Sequence, residues 1–254
     1  MTTLIVGASG ATGKLLVEQL LKAGQKVKVI VRPTSNFPDA WNNHDRITVI
    51  PSNVTEMSVG EIARHLAGCQ AIASCLGHNL TLKGIFGKPR KLVTDTVRLL
   101  CKAALESTPE RPIKFVLMNT AGNSSVNESV SVKEKMAVAL IRLLLPPHTD
   151  NEKAADYLWN SIGQQNPLME WVVVRPDTLT NEREVTEYAV QASPTRSAIF
   201  NPGKTSRINV GHFMAMLITD EDLWEQWKGQ MPVIYNIPKT ASPIKIHRQE
   251  VGLF

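Results

Sequence analysis

The stretch that decides the fold is Leu4-Ile5-Val6-Gly7-Ala8-Ser9-Gly10-Ala11-Thr12-Gly13, followed at once by the helical pattern KLLVEQLLKAG from Lys14 to Gly24. An apolar, β-branched run passes into three evenly spaced glycines, and the glycines pass into an amphipathic helix. A chain that turns sharply from a buried strand into a helix leaves unused backbone N–H groups and the positive end of the helix dipole facing one place. That place attracts an anion. Gly7 is expected at the tight turn, Gly10 where the backbone must approach a pyrophosphate, and Gly13 where helix and strand press together. Ser9, Ala11 and Thr12 belong to the same turn, and Thr12 adds a hydroxyl.

Outward from that turn, short apolar runs keep alternating with longer helical patterns. Strands are predicted at Leu4 to Val6, Val27 to Val31, Ile47 to Ile50, Ala71 to Ser74, Lys114 to Met118 and Trp171 to Val174. Each is β-branched or continuously apolar, as burial on both faces requires. Helices are predicted at Thr12 to Ala23, Val59 to Leu66, Arg90 to Glu106, Lys133 to Leu144, Asp150 to Ile162 and Val210 to Thr219. In the last, Val210, Phe213, Met214, Leu217 and Ile218 fall on one stripe. The alternation predicts an α/β doubly wound parallel sheet of Rossmann type. With no repeat and no Gly/Ser linker, residues 1–254 are expected to form one domain. Thr178 to Asn209, irregular and carrying Pro194, Pro202 and Gly203, would form with the C-terminal elements a small substrate lobe over the ligand edge.

Composition fits this reading and excludes others. The 254 residues are 43% hydrophobic and 20% charged, with 15 Gly and 15 Pro, which rules out a collagenous or disordered chain. The net charge of +5 is spread along the sequence, so it suits an anionic small ligand. Five scattered tryptophans make no base-stacking platform, and no nucleic-acid partner is expected. The three cysteines, Cys69, Cys75 and Cys101, have no metal-ligand spacing, so no metal is expected and a reduced, cytoplasmic protein is the simplest reading. The N-terminus lacks a signal-peptide pattern and no run reaches the length of a membrane span. Oligomeric state is left open.

The second strand ends Val31-Arg32-Pro33. A site selective for NAD usually places a carboxylate there for the ribose 2′-hydroxyl. Arg32 cannot accept from a hydroxyl but can bond a 2′-phosphate, with Thr34 and Ser35 as further donors, so NADP (NADPH) is the favoured cofactor over NAD.

At this point the chain resembles the atypical short-chain dehydrogenase/reductases, in particular the NmrA-like and biliverdin reductase B-like NAD(P)-binding proteins. The carriers are GASGATG after the first strand, VRP ending the second, CQAIASCLG at the fourth, KFVLMNTAG at the fifth, WVVVRPDTL at the sixth and SRINVGHFMAMLI near the end. The resemblance implies that Asn53 and Val54 flank the adenine, where the family more often shows Asp before a hydrophobic residue. It also implies that Leu76 and Gly77 border the cofactor ribose with His78 just beyond, that Asn119 and Thr120 occupy the catalytic Ser/Thr region, and that Pro176 to Leu179 line the nicotinamide side.

The family's Tyr-x-x-x-Lys pair is incomplete. The corresponding stretch reads Thr149-Asp150-Asn151-Glu152-Lys153, with the lysine and without the tyrosine. Thr149 with Glu152 also reads as a capping box. A literal Tyr235-x-x-x-Lys239 contains Pro238 and follows a strand-like run, so its two side chains need not share a face. Thr120, Lys153 and His78 are the catalytic candidates. His78 and His148 both fall near the sheet's carboxyl edge, as proton donors or as surface histidines. Lys83, Lys88, Arg90 and Lys91 form a basic cluster, read as a solvated helix start or as an anion clamp.

Two functions follow from different classes. One is an NADPH-preferring oxidoreductase passing hydride to an electrophilic carbonyl, quinone-like or flavin-like acceptor that can manage without the tyrosine. The other is a non-catalytic NADP-binding redox sensor or regulatory protein of the NmrA-like kind, for which differential affinity for the two redox states would be the output. An epimerase or dehydratase fits less well, because such relatives usually keep the tyrosine.

Overall fold

The computed structural model describes residues 1–78, 87–124, 128 and 132–238. Lys83, Lys239 and the tail from residue 240 lie outside them.

The chain runs β1 (Thr2–Val6), α1 (Ala11–Lys22), β2 (Lys26–Val31), β3 (Ile47–Pro51), α2 (Val59–Leu66), β4 (Ala71–Ser74), α3 (Leu92–Glu106), β5 (Ile113–Met118), α4 (Val132–Leu144) and α5 (Pro146–Tyr157). It continues through a π-helical turn (Leu158–Ile162) to β6 (Met169–Pro176), β7 (Thr178–Thr180), β8 (Tyr188–Gln191), β9 (Lys204–Ser206), α6 (Arg207–Thr219), α7 (Glu221–Trp227) and β10 (Val233–Asn236). Eight strands form one sheet in the order β3-β2-β1-β4-β5-β6-β10-β8. All neighbours are parallel except β8, which runs antiparallel to β10 at the edge. This is the doubly wound Rossmann architecture: order reverses at β1, and a crevice opens beyond the carboxyl ends of β1 and β4.

Strand alternation builds a core on each face. Leu4, Val6, Ile72, Phe115 and Leu117 pack toward α2, α3 and α5. Ile5, Ala73, Val116, Val172 and Val174 pack toward α1, α6 and α7. Because each strand supplies both cores, it has no polar face to give away, which is why its sequence is apolar without a period of two. Register across the sheet pairs Val6 with Ser74, Ser74 with Leu117 and Leu117 with Val173, so the segments leaving these strands emerge level with one another.

The helices and the later strands depart from expectation in four places. α5 starts at Pro146, because two prolines at the start of a helix lack only N–H groups that would be orphans anyway. Thr149 therefore sits inside the helix and is no capping residue; its hydroxyl lies 3.4 Å from the carbonyl of Arg142. α6 starts at Arg207, capped by the Ser206 hydroxyl, and is buried nearly all round instead of along one stripe. Gly211 lets it approach α1 closely, since a Cβ there would stand 3.0 Å from the backbone nitrogen of Leu16. α7 went unrecognised in the sequence, although Asp220 caps it. The stretch from Thr178 to Asn209 is less irregular than its prolines indicate: it contains β7, β8 and β9, and Asn209 ties it down by bonding Thr186 and Asn236. Among the described residues no helix is long and apolar enough to cross a membrane, and no group of three or more His, Cys, Asp or Glu is placed to hold a metal.

Candidate functional site

The β1–α1 turn has the geometry of an anion cradle. Gly7 takes φ +74°, and a Cβ there would stand 2.6 Å from the carbonyl carbon of Cys75. A Cβ on Gly13 would stand 2.2 Å from the carbonyl oxygen of Gly7. Both contacts are backbone, which cannot give way, so both positions require glycine. A Cβ on Gly10 would meet only its own turn, the Gly7 carbonyl oxygen at 3.2 Å. Gly10 is also the N-cap of α1, with no side-chain cap and no acidic residue in the first turn, so the helix end stays electropositive.

A cleft of about 390 Å³ opens from this turn along the carboxyl edge of the sheet. It is lined by Gly7, Ser9 and Gly10 from the turn, Arg32 and Ser35 after β2, Asn53 and Val54 after β3, Leu76, Gly77 and His78 after β4, and Lys88 before α3. Among the described residues that line it none is acidic, and Arg32 and Lys88 carry full positive charge. Ala11, Thr12 and Gly13 stand behind the lining in α1. The Asn53 amide is already engaged: Nδ2 donates to Glu56 at 2.7 Å and Oδ1 accepts from the Thr55 hydroxyl at 3.0 Å. Arg90 and Lys91, the rest of the described basic cluster, do not line the cleft. Sequence reasoning missed Ser52, Thr55, Cys75 and Leu92, each one or a few residues past a strand end or at a helix start, a positional signal that was there to be read. Cys75 is no nucleophile, since burial pushes its thiol up to about 12.

His78 is held from below. Its Nε2 lies 2.8 Å from Oδ2 of Asp150 on α5, a carboxylate 1% exposed. Asp150 also accepts the N–H of Val93 at 2.8 Å and of Thr94 at 3.0 Å, capping α3 from another helix. One buried carboxylate thus fixes the cleft's histidine and two helices together.

Beyond β4 the edge continues through β5. Asn119 Nδ2 donates to the carbonyl of Asn151 at 2.8 Å, and the Thr120 hydroxyl accepts the N–H of Gly122 at 3.3 Å. The Pro176 carbonyl, ending β6, accepts the N–H of Ala121. These three predicted residues follow β5 and end β6 along the sheet edge, outside the cleft's lining. His148 packs against Gly122 and pairs with Glu152, whose carboxylate takes both Nε and Nη2 of Arg142 at 2.8 and 2.9 Å. Burial alone would raise the Glu152 carboxyl, yet His148 and Arg142 hold it below its ordinary value. Lys153 lies on the exposed face of α5, outside the cleft lining. Tyr235 belongs to β10, packed on Gly203 with the Arg196 guanidinium 5.9 Å from its ring centre, and shares no helix face with a lysine.

Arg175, fully buried near the end of β6, donates to both carboxylate oxygens of Glu128 at 3.1 and 2.6 Å and to the carbonyls of Met231 and Asn123. It anchors the segment after β5 to the C-terminal strands.

Solved structures share this fold. No curated protein matches the chain. Among solved structures, an oxidoreductase from Lactococcus lactis is 18% identical, with a TM-score of 0.67 over 95% of this chain and 93% of that one. A short-chain dehydrogenase/reductase from Veillonella parvula, in complex with NADP, is 15% identical, with a TM-score of 0.65 over 92% and 94%. An anaerobillin reductase from Escherichia coli O157:H7 is 14% identical, with a TM-score of 0.64 over 95% and 100%. At these identities the likeness is one of fold. A family model described as NAD(P)H-binding matches residues 7–221, from the first glycine of the turn to the start of α7. The chain therefore belongs to the NAD(P)H-binding family, in line with its resemblance to the atypical short-chain dehydrogenase/reductases.

Proposed function

We propose that the protein is an NADPH-preferring oxidoreductase acting on an electrophilic carbonyl, quinone-like or flavin-like acceptor. The observation that carries this reading is the charge of the cleft: among the described residues that line it are Arg32 and Lys88 and no carboxylate. A carboxylate at the end of β2 would repel a 2′-phosphate, whereas Arg32 with the Ser35 hydroxyl can bond one. The glycine cradle and the uncapped start of α1 suit a pyrophosphate. Val54 and Asn53 would flank the adenine, and Leu76, Gly77 and His78 the ribose beyond.

Bound there, a reduced nicotinamide dinucleotide supplies hydride. The chain's own part is to orient acceptor and cofactor, keep the acidic groups away, and hold His78 on Asp150 so that its ring stays at the cleft wall. Fluorescence titration of cofactor-free protein with NADPH and NADH tests the reading. NADPH is expected to bind the more tightly, and Arg32→Ala to lower that affinity about 10- to 150-fold, the equivalent of about 1.5–3 kcal/mol for a charged bond. Equal affinity for both cofactors, or none for either, would overturn it. Tight NADPH binding without turnover of any acceptor would favour the sensor, for which the absent tyrosine speaks.

A further inference from the structure

We infer that His148 is the acid that delivers the proton in this reduction, with Glu152 holding its charge, so that a His-x-x-x-Glu pair does the work of the absent tyrosine. The inference rests on the oxidoreductase reading above. Its basis is the arrangement over Gly122. A Cβ on Gly122 would stand 3.4 Å from Cε1 and 3.9 Å from Nδ1 of His148, and 3.7 Å from the Thr120 hydroxyl, so imidazole and hydroxyl meet above a residue with no side chain. On its other edge the ring presents Nε2 to Glu152 Oε1 at 3.3 Å, and the two side chains are 13% and 10% exposed. Histidine and glutamate are four residues apart on α5, hence on one face.

The sheet places this group beside the cleft, on its β5 side. Ser74 pairs with Leu117, so Gly77 and Thr120, each three residues further on, leave the edge level with each other. Gly77 and His78 line the cleft, and His148, Thr120 and Gly122 stand beside that lining, one strand further along the edge. A dinucleotide with its adenosine over β2 and β3 and its pyrophosphate at the β1–α1 turn has only the β4–β5 side left for its reactive end.

The step balances as follows. The acceptor's carbonyl carbon takes two electrons as hydride from a reduced nicotinamide dinucleotide, which is oxidised. Its oxygen takes the proton of the His148 imidazolium, so an N–H bond breaks and an O–H bond forms. Solvent returns the proton to the ring. Among the described residues, the charges that face His148 are Glu152 on its own helix and Arg142 from α4, which Glu152 neutralises; Asp156 lies one turn on, beside Glu152. Among the described residues of the segment bearing Thr120 and Gly122, the charged side chain is Glu128, which is paired with Arg175.

The test uses NADPH with menadione as a quinone and cinnamaldehyde as an enal. His148→Gln is expected to lower turnover about 100-fold, within the range for a lost general acid, and to leave the NADPH dissociation constant unchanged. His148→Ala should regain turnover when imidazole is added. Glu152→Gln should lower turnover as His148→Gln does and likewise leave the NADPH dissociation constant unchanged. Thr149→Ala, on the outward side of the helix, is the unaffected control. Full turnover in His148→Gln, no rescue by imidazole, or full turnover in Glu152→Gln overturns the inference while NADPH binding stands. Wild-type protein that binds no NADPH overturns the oxidoreductase reading with it.

Discussion

The two ends of the sheet's carboxyl edge are built from different materials. At the β1 end the contacts are backbone: three glycines, a left-handed φ at Gly7, and an uncapped helix, all within one short segment. At the β5 end they are side chains drawn from far apart. His78 follows β4, Asp150 and His148 come from α5, Arg142 comes from α4, and Glu128 reaches Arg175 on β6. The first end can hold an anion whatever the reaction. The second can differ between relatives without disturbing the first, which is how one fold carries many chemistries.

The largest effect that would sharpen this contrast is on stability at the side-chain end. Glu128→Ala leaves the buried Arg175 guanidinium without its carboxylate, and unfolding free energy is expected to fall by about 3–5 kcal/mol in denaturant melts. A smaller loss would mean that the carbonyls of Asn123 and Met231 suffice. Next comes the backbone end, where Gly13→Ala drives a methyl group into the Gly7 carbonyl. It should cost about 1–3 kcal/mol of stability and at least ~100-fold in NADPH affinity, read by melting and by titration. Unaltered affinity would remove the turn from the binding site.

The legibility of the two ends differed for a physical reason. Glycine requirements are local and leave their mark in the residue itself, so Gly7, Gly10 and Gly13 announced both the turn and the fold around it. A helix announces only which residues share a face, through spacing. His148 with Glu152 and Thr149 with Lys153 are both spaced by four, and one residue of offset rotates a pair about 100° around the helix. Starting the helix at Asp150 hid which pair looks inward; the prolines that start it at Pro146 were visible but were read as lying outside it. Arg175 stood in a recognised stretch, yet its partner Glu128 is 47 positions away, and nothing in local sequence joins them. The strands of the sheet through β6 were legible because two-sided burial forces continuous apolar runs, while the short β7, β8 and β9 are held by polar side chains such as Asn209 and leave no such run.

Two smaller effects follow. The Glu152 carboxyl is held below its ordinary value of 4.5, so it stabilises the fold above that pH and the contribution is lost as pH falls through its depressed value. Glu152→Gln should therefore melt below wild type at neutral pH, with the gap closing below about pH 4.5; a gap that persists in acid would mean that packing, not charge, is what the variant loses. Smallest of all is Lys153→Ala, expected to change turnover less than about twofold, as for other exposed side chains clear of a site. A large drop would return Lys153 to the catalytic face and put the orientation of α5 in doubt.

The most direct test of the division between the two ends is the NADPH dissociation constant of His148→Gln, measured beside Arg32→Ala and wild type by the same fluorescence titration. The expected result is wild-type affinity in His148→Gln and a loss of about 10- to 150-fold in Arg32→Ala. Equal losses in both variants would contradict the account, because the side-chain end would then be holding the cofactor and not acting on it.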